Sequence, residues 1–331
     1  LADRQTFADG LTVDAFADSP DLLGALRGKD VVVAFVESYG RDAVTNPEYA
    51  PQVGAVLDDG TRRLADAGFA ASSGFLTSPI SGGSSWLAHA TFGSGLHVDD
   101  QARYELLTDS DRLTLTSAFG DAGWDTVAVM PGTDGPWPEG EFYGYDRVLD
   151  HAALGYRGPD HGWATVPDQY TLSAFERLAR GGDTPVMAEL ALVTSHAPWP
   201  LTPPILDWDE IGDGRVYGSL ERSGEGGRAD YRRTIEYTME SLVSWVETYG
   251  DDDLVVLVLG DHQPLPAITG DGATRDVPIS VIARDPAVME RTAPWGWTGG
   301  LRPAPDAPVW PMESFRDRFL TAFATLPDLL Q

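Results

Sequence analysis

The sequence reads LVVLVLGDH from residue 254 to residue 262, and these nine residues are the clearest indication of the fold. Its six consecutive apolar residues are typical of a short strand that is buried on both faces of a sheet. Glycine, aspartate and histidine follow at positions 260–262, where a buried ionisable group is costly unless it is paired or binds a metal ion. The stretch therefore predicts a central strand that carries chemically useful side chains at its carboxyl end.

Short apolar runs and helix-like patterns alternate along the rest of the chain. Further strands are predicted at 31–36, 126–130, 186–193 and 277–283, and helices at 53–67, 170–178, 231–249 and 312–326. Strands separated by helices in this way are typical of a largely parallel sheet that is covered on both faces. We therefore expect an α/β fold, a three-layer sandwich with a mostly parallel central sheet between two layers of helices.

The chain is expected to form one domain over its 331 residues. Two loop-like regions, 198–227 and 294–311, are not domain linkers, because strand or helix patterns resume after each of them. The predicted core covers about residues 28–285, and residues 286–331 form a C-terminal loop and a closing helix. No apolar run exceeds six residues, whereas a membrane helix needs about 20. Because the chain starts with Leu-Ala-Asp, we expect a piece of a longer protein whose N-terminal membrane segment lies upstream.

The composition excludes several function classes. The chain has 23 basic and 51 acidic residues, a net charge of −28, and no cysteine. Such a chain repels nucleic acid backbones unless it has a basic stripe, and its densest arginine group is only Arg228, Arg232 and Arg233. We therefore expect no nucleic acid partner. The lack of cysteine excludes disulfides, thiolate metal sites and cysteine nucleophiles.

The residues after the predicted strands form a candidate site. Ligands of open α/β sheets bind beyond the carboxyl ends of the strands. Glu37 follows the strand at 31–36, His196 follows the strand at 186–193, and Asp261 and His262 follow the strand at 254–259. Two carboxylates and one imidazole make a hard, mostly oxygen site that suits Mn, Mg or Zn. A bound metal ion would also supply the local cation that an anionic substrate needs in so acidic a chain.

A nucleophile is expected in the stretch TSPISGGSSW, residues 77–86. Ser84 follows two glycines and precedes a helix predicted at 86–92. A serine at a helix start is usually an N-cap, but the same position also favours a bound phosphate. Spacing alone does not choose between Ser81, Ser84 and Ser85.

Four motifs carry a resemblance to a known superfamily. They are VAFVES at 33–38, GGSS at 82–85, VTSHAP at 193–198 and LGDH at 259–262. With them the chain resembles the alkaline phosphatase/sulfatase superfamily, and most of all the extracellular domains of lipoteichoic acid synthase-type phosphoglycerol transferases and of phosphoethanolamine transferases. The resemblance implies an alkaline phosphatase-like fold, with Glu37, Asp261 and His262 as metal ligands and Ser84 as the metal-bound nucleophile. It further implies that His196 acts at the substrate and that Trp137 contacts it.

Some family features are missing. In the glycerophosphate-binding families, two residues near the tryptophan that Trp137 matches hold the phosphate: a histidine seven residues before it and an arginine two residues after it. This chain has Met130 and Glu139 at those positions. Ser78-Pro79 lacks the spacing and the arginine of a sulfatase motif, so sulfate-ester hydrolysis is disfavoured.

Two other residues are substrate-binding candidates. Arg41 would contact phosphate, with a surface salt bridge to Asp42 or Glu48 as the alternative. His89, five residues after Ser84, would face the site.

The expected function is metal-dependent phosphoryl transfer on a phosphodiester with a phosphoglycerol- or phosphoethanolamine-type head group, through a phospho-serine intermediate. We expect one divalent metal ion, with Mn as the first choice and Mg or Zn as alternatives. The protein is expected to be a monomer that is either held at the extracellular face of the cell membrane or secreted. The alternative enzymes are a phosphatase or phosphodiesterase that uses water, and a sulfatase-like hydrolase. The alternative of another class is a non-catalytic, metal-stabilised glycan-binding domain.

Overall fold

The computed structural model describes residues 2–159, 166–199, 202–219 and 227–325, and a nine-stranded sheet lies at its centre. The strands are β1 (Asp30–Val36), β2 (Ala70–Thr77), β3 (Asp125–Met130), β4 (Arg147–Asp150), β5 (Val186–Leu192), β6 (Leu254–Gly260), β7 (Asp276–Ala283), β8 (Thr298–Gly299) and β9 (Val309–Pro311). Each of the five strands that apolar runs predict is present, within one or two residues of its expected ends.

The order of the strands brings several carboxyl ends to one edge of the sheet. The order is β4-β3-β5-β1-β6-β7-β2-β8, and β9 pairs with β2. β1 lies between β5 and β6 and is parallel to both. β7 is antiparallel to both β6 and β2, so β2 runs in the same direction as β1 and β6. The segments that follow β1, β2, β5 and β6 therefore start at the same edge, where α/β proteins bind their ligands.

Helices cover both faces of the sheet. They are α1 (Ala2–Thr12), α2 (Arg41–Thr45), α3 (Ala50–Asp66), α4 (Ser85–Ser94), α5 (Gln101–Thr108), α6 (Leu115–Asp121), α7 (Gly140–Tyr143), α8 (His151–Leu154), α9 (Asp168–Ala179), α10 (Arg228–Tyr249), α11 (Pro266–Thr269), α12 (Pro286–Thr292) and α13 (Phe315–Phe323). Short 3-10 turns lie at Gly24–Leu26, Trp208–Glu210, Arg215–Ser219, Ala293–Trp295 and Met312–Ser314.

Two apolar cores separate the layers. Side chains alternate between the faces of a strand. In β1, Val32, Ala34 and Val36 therefore face the core shared with α3, α9 and α10. Val31, Val33 and Phe35 face the other core, which α4, α6 and α13 complete. This arrangement confirms the predicted three-layer α/β sandwich with a mostly parallel sheet.

The structure also differs from the sequence prediction in places. β2 reads AASSGFLT, and its polar first half hides it from an apolar-run search although it is paired along its whole length with β7. The loop-like region at 294–311 contains β8 and β9, and that at 198–227 is described only in part. The closing helix spans Phe315–Phe323, and residue 326, its expected end, lies outside the described residues. No helix in the described ranges has both the length and the apolarity to cross a membrane.

Candidate active site

Two strand ends bring three ionisable side chains together. Glu37 follows β1, while Asp261 and His262 follow β6, its neighbour in the sheet. One ligand atom from each residue lies within 4.8 Å of the other two. The Nε2 atom of His262 lies 3.4 Å from Glu37 Oε1 and 3.6 Å from Asp261 Oδ2. The structure thus brings together the three side chains that the sequence indicates as metal ligands.

The backbone around this cluster fixes the Asp261 carboxylate. Asp261 Oδ1 accepts hydrogen bonds from the backbone N–H of Ser38, at 2.8 Å, and from that of His262, at 2.7 Å. Ser38 has a φ of 57°, in the left-handed region, which is uncommon for a residue other than glycine. Position 260 requires glycine, because a Cβ there would collide with the carbonyl oxygen of Tyr39. Close packing of the turns after β1 and β6 therefore explains the glycine that precedes Asp261 and His262.

The electrostatics of the cluster favour positive charge between the carboxylates. Burial alone would lower the pKa of the His262 imidazole, but Asp261 and Glu37 raise it to about 9. Burial alone would raise the pKa of Glu37, but the hydrogen bond and the charge of His262 hold it well below its usual range. Burial, together with the charge of Glu37, raises the pKa of Asp261 to about 6.

The donor set fits one divalent metal ion. The side chains of Glu37, Asp261 and His262 are only 11%, 2% and 2% exposed, and two buried carboxylates beside one imidazole are costly unless a cation compensates them. Nδ1 of His262 lies 2.8 Å from the carbonyl oxygen of Gln263, to which it can donate a hydrogen bond. Nε2 then faces the carboxylates of Glu37 and Asp261. Metal-binding histidines are oriented in the same way, with one ring nitrogen on a carbonyl oxygen and the other on the metal ion.

Ser85 is the serine at the start of a helix that contacts the cluster. Its Oγ lies 3.1 Å from Glu37 Oε2 and 3.2 Å from His262 Nε2. The Ser38 hydroxyl also donates to Glu37, at 2.9 Å, but Ser38 lies in the turn after β1, three residues before the five-residue helix α2. Ser85 is the first residue of α4, where free backbone N–H groups favour an anion.

The contacts therefore favour Ser85 over Ser84, the serine chosen from the resemblance. Ser84 has a φ of 65°, precedes α4 and makes no capping hydrogen bond with its side chain. The next side chain, that of Ser85, is the first in the helix and contacts the cluster. Ser84 still lines the cavity beside it, whereas Ser81 lies outside the cavity lining.

A cavity of about 450 Å³ opens beside the cluster. Three residues that the sequence indicates for the substrate line it: His196 after β5, Trp137 after β3, and His89 on α4. Met130 lines it as well. The wall also contains Trp86, Tyr143 and Glu189, which the sequence analysis missed. A signal existed only for Glu189, which is an acidic residue inside the apolar run of β5.

Arg41 does not line this cavity, contrary to the expectation from the sequence. Its guanidinium donates to Asp276 Oδ2 at 3.0 Å and to the carbonyl oxygen of Pro305 at 2.6 Å, and it lies 4.3 Å from the centre of the Phe75 ring. Its ion pair is therefore with Asp276, the first residue of β7, and not with Asp42 or Glu48, the alternative partners that the sequence suggests. A partner so distant in sequence could not be found from local spacing.

A buried carboxylate supports the turn that carries His196. Asp168 Oδ1 accepts a hydrogen bond from the backbone N–H of Thr194 at 3.1 Å, and Asp168 N–H donates to Thr194 Oγ1 at 2.9 Å. Asp168 Oδ2 accepts from the hydroxyl of Thr238 on α10, at 2.6 Å. Burial raises the pKa of Asp168 to about 6. The segment before His196 is therefore anchored to two helices, α9 and α10.

Solved structures show the same fold. The chain is similar to the lipoteichoic acid synthase LtaP from Listeria monocytogenes, with a TM-score of 0.58 and 15% identity over 97% of this chain and 78% of that one. It is also similar to a protein in the alkaline phosphatase superfamily from Vibrio parahaemolyticus, with a TM-score of 0.53 and 16% identity over 88% of this chain and 74% of that one. The chain has the alkaline phosphatase-like fold.

A third structure with this alkaline phosphatase-like fold is the soluble domain of lipooligosaccharide phosphoethanolamine transferase A from Neisseria meningitidis. Its TM-score is 0.54, with 14% identity over 88% of this chain and 87% of that one. The resemblance that the sequence motifs indicate is thereby confirmed at the level of the fold. No protein-family model matches the sequence, and no curated protein matches it at a significant level.

Proposed function

We propose that this chain is a metal-dependent phosphoryl-transfer enzyme that acts on a phosphodiester, with Ser85 as its nucleophile. The observation that carries the proposal is the position of the Ser85 hydroxyl, which contacts both Glu37 and His262 at the start of a ten-residue helix. A serine that only caps a helix would bond to the backbone of its own first turn. A serine held between a carboxylate and an imidazole beside a cavity is instead placed for nucleophilic catalysis.

The chain's own residues account for most of the chemistry. A divalent cation on Glu37, Asp261 and His262 would lower the pKa of the adjacent hydroxyl and offset negative charge on the phosphoryl oxygens. Ser85 Oγ attacks phosphorus in line, so that an Oγ–P bond forms while the bond from phosphorus to the leaving alcohol breaks. His196 donates a proton to the leaving oxygen. The N–H groups at the start of α4 stabilise charge on the phosphoryl oxygens.

The second half of the reaction regenerates the enzyme. An acceptor hydroxyl attacks the phosphoseryl group and gives its proton to His196, and the bond between phosphorus and Ser85 Oγ breaks. Ser85 then leaves as the alkoxide that begins the next cycle. With water as acceptor the enzyme is a phosphodiesterase, and with an alcohol it is a transferase.

We propose a phosphoglycerol- or phosphoethanolamine-type head group as the part transferred. The name of the Neisseria protein with this fold, a phosphoethanolamine transferase, supports this substrate class. The cavity, at about 450 Å³, lies within the range of small-molecule sites, and Trp137, Trp199 and Met130 give it an apolar wall. We also propose manganese as the metal and a monomeric enzyme, and the resemblance supports a location on the extracellular side of the membrane.

The test is turnover of a p-nitrophenyl phosphodiester with Mn²⁺, Mg²⁺ or Zn²⁺ and with EDTA. We expect release of p-nitrophenol with a divalent metal ion, fastest with Mn²⁺, and none with EDTA. Product analysis with added glycerol separates the two acceptors, because a transferase forms a glycerol phosphodiester whereas a hydrolase forms only the monoester. Metal-independent turnover, or glycan binding without any turnover, would contradict the proposal.

A further inference from the structure

The cavity lacks the cations that usually hold a phosphodiester. Among the described residues that line it there is no arginine and no lysine. The net charge of −28 adds a repulsive field for an anionic substrate. A phosphodiester in this cavity therefore needs a positive group besides the metal ion.

His89 and Glu189 form a buried pair in the wall of this cavity. His89 Nδ1 lies 2.6 Å from Glu189 Oε1, and the two side chains are 13% and 6% exposed. The His89 ring is stacked on Phe35 with 3.9 Å between ring centres and an angle of 19°. The carboxylate and the aromatic ring together fix the orientation of the imidazole. Because Nδ1 is bound to Glu189, Nε2 is the nitrogen left for a ligand.

The pair lies close to the proposed nucleophile. His89 follows Ser85 by four residues on α4, so both side chains lie on the same helix face, just over one turn or about 6 Å apart along the axis. Both line the cavity. A phosphoryl group that Ser85 attacks would therefore have His89 about one helical turn away on the same wall of the cavity.

We infer that the His89 imidazolium, held in place by Glu189, binds a non-bridging phosphoryl oxygen and supplies the cationic contact that no arginine or lysine of the described cavity lining provides. This role rests on the proposed function. His89 is the residue that touches the substrate, and Glu189 is a positioning residue that keeps the imidazole charged and oriented.

The charges around the pair give this role a pH dependence. Burial alone would lower the pKa of His89, but the hydrogen bond to Glu189 and its charge raise it above the usual value. Replacing Glu189 by glutamine removes that charge, so His89 should lose its proton at a lower pH. The other titratable groups that face the pair lie at the ends of β1 and β6 and on the loop around α7; they are Glu37, Asp261, Tyr143 and Tyr145.

The test is the binding of inorganic phosphate to the full chain with Mg²⁺, measured by titration calorimetry between pH 5.5 and pH 8.5. His89→Gln and Glu189→Gln are compared with His97→Gln and Glu313→Gln. His97 and Glu313 also form a histidine–glutamate pair, with Nδ1 3.3 Å from Oε1, but they do not line the cavity. Thermal melts of all four variants confirm that each one folds.

We expect His89→Gln to weaken phosphate binding at least tenfold and Glu189→Gln to shift the loss of affinity to lower pH. The ionisation of phosphate is the same in all samples, so the difference between profiles reports on the protein. The two control variants should bind within twofold of the wild type. Equal affinities and profiles in all variants, or no phosphate binding by the wild type, would overturn the inference. Phosphate binding that depends on His89 without phosphodiester turnover would overturn only the proposed function.

Discussion

Replacing Ser85 by alanine gives the sharpest test of the site, because its neighbour Ser84 is a matched control. The two serines are adjacent and both line the cavity, but it is the Ser85 hydroxyl that lies 3.1 Å from Glu37 Oε2 and 3.2 Å from His262 Nε2. A methyl group cannot attack phosphorus. We therefore expect Ser85→Ala to lower kcat at least 10³-fold, or about 4 kcal/mol of barrier at 1.36 kcal/mol for each factor of ten.

Ser84→Ala should behave differently. Alanine and serine meet similar strain at a φ of 65°, and the Ser84 side chain makes no capping hydrogen bond, so little stability depends on its hydroxyl. We expect kcat within tenfold of the wild type.

The assay is p-nitrophenyl phosphodiester turnover at saturating Mn²⁺, with thermal melts to confirm folding and peptide mass spectrometry to locate any phosphoserine. A dead Ser84→Ala beside an active Ser85→Ala, or phosphate found on Ser84, would refute the geometric reasoning and restore the choice made from the resemblance.

Two further outcomes follow from the buried charges. At a metal concentration 100 times its Kd, binding should stabilise the fold by about 2.7 kcal/mol; with an unfolding entropy of about 0.7 kcal/mol per kelvin for 331 residues, Tm should rise by roughly 4 °C. Calorimetry should show no rise for Glu37→Gln, and an equal rise in that variant would place the metal elsewhere. The pKa of Asp168 is about 6 in the folded chain, above its ordinary value of 3.8, so the folded chain binds this proton more tightly than the unfolded chain does. The free energy of unfolding should therefore fall as the pH rises from about 4 to about 6, by roughly 3 kcal/mol in all. Urea denaturation in EDTA should show this decline in the wild type and a smaller one in Asp168→Asn. An equal dependence of unfolding free energy on pH in both proteins would disprove the role of Asp168.

The fold was predictable because its central strands are buried on both faces. β1, β5 and β6 read as apolar runs, and the ionisable residues just beyond them mark the edge of the sheet where ligands bind. β2 was not predictable, since its first half is polar and its pairing with β7 joins segments about 200 residues apart. The antiparallel direction of β7 has no local sequence signal either.

The candidate site was predictable only in part. Glu37, Asp261 and His262 could be grouped because parallel neighbouring strands end together. The choice between Ser84 and Ser85 depends on one left-handed residue, which periodicity does not reveal. The partners of Arg41 and His89 are Asp276 and Glu189, which lie 235 and 100 residues away in the chain. Such pairs depend on the tertiary arrangement and not on local spacing.

The central claim is that Glu37, Asp261 and His262 hold one divalent metal ion beside the Ser85 hydroxyl. Anomalous diffraction from crystals grown with Mn²⁺ tests it most directly. We expect a single strong peak about 2 Å from one ligand atom of each of these three residues and within reach of Ser85 Oγ. A cluster closed by hydrogen bonds with no peak between the three side chains, or a peak bound only by other residues, would contradict the account.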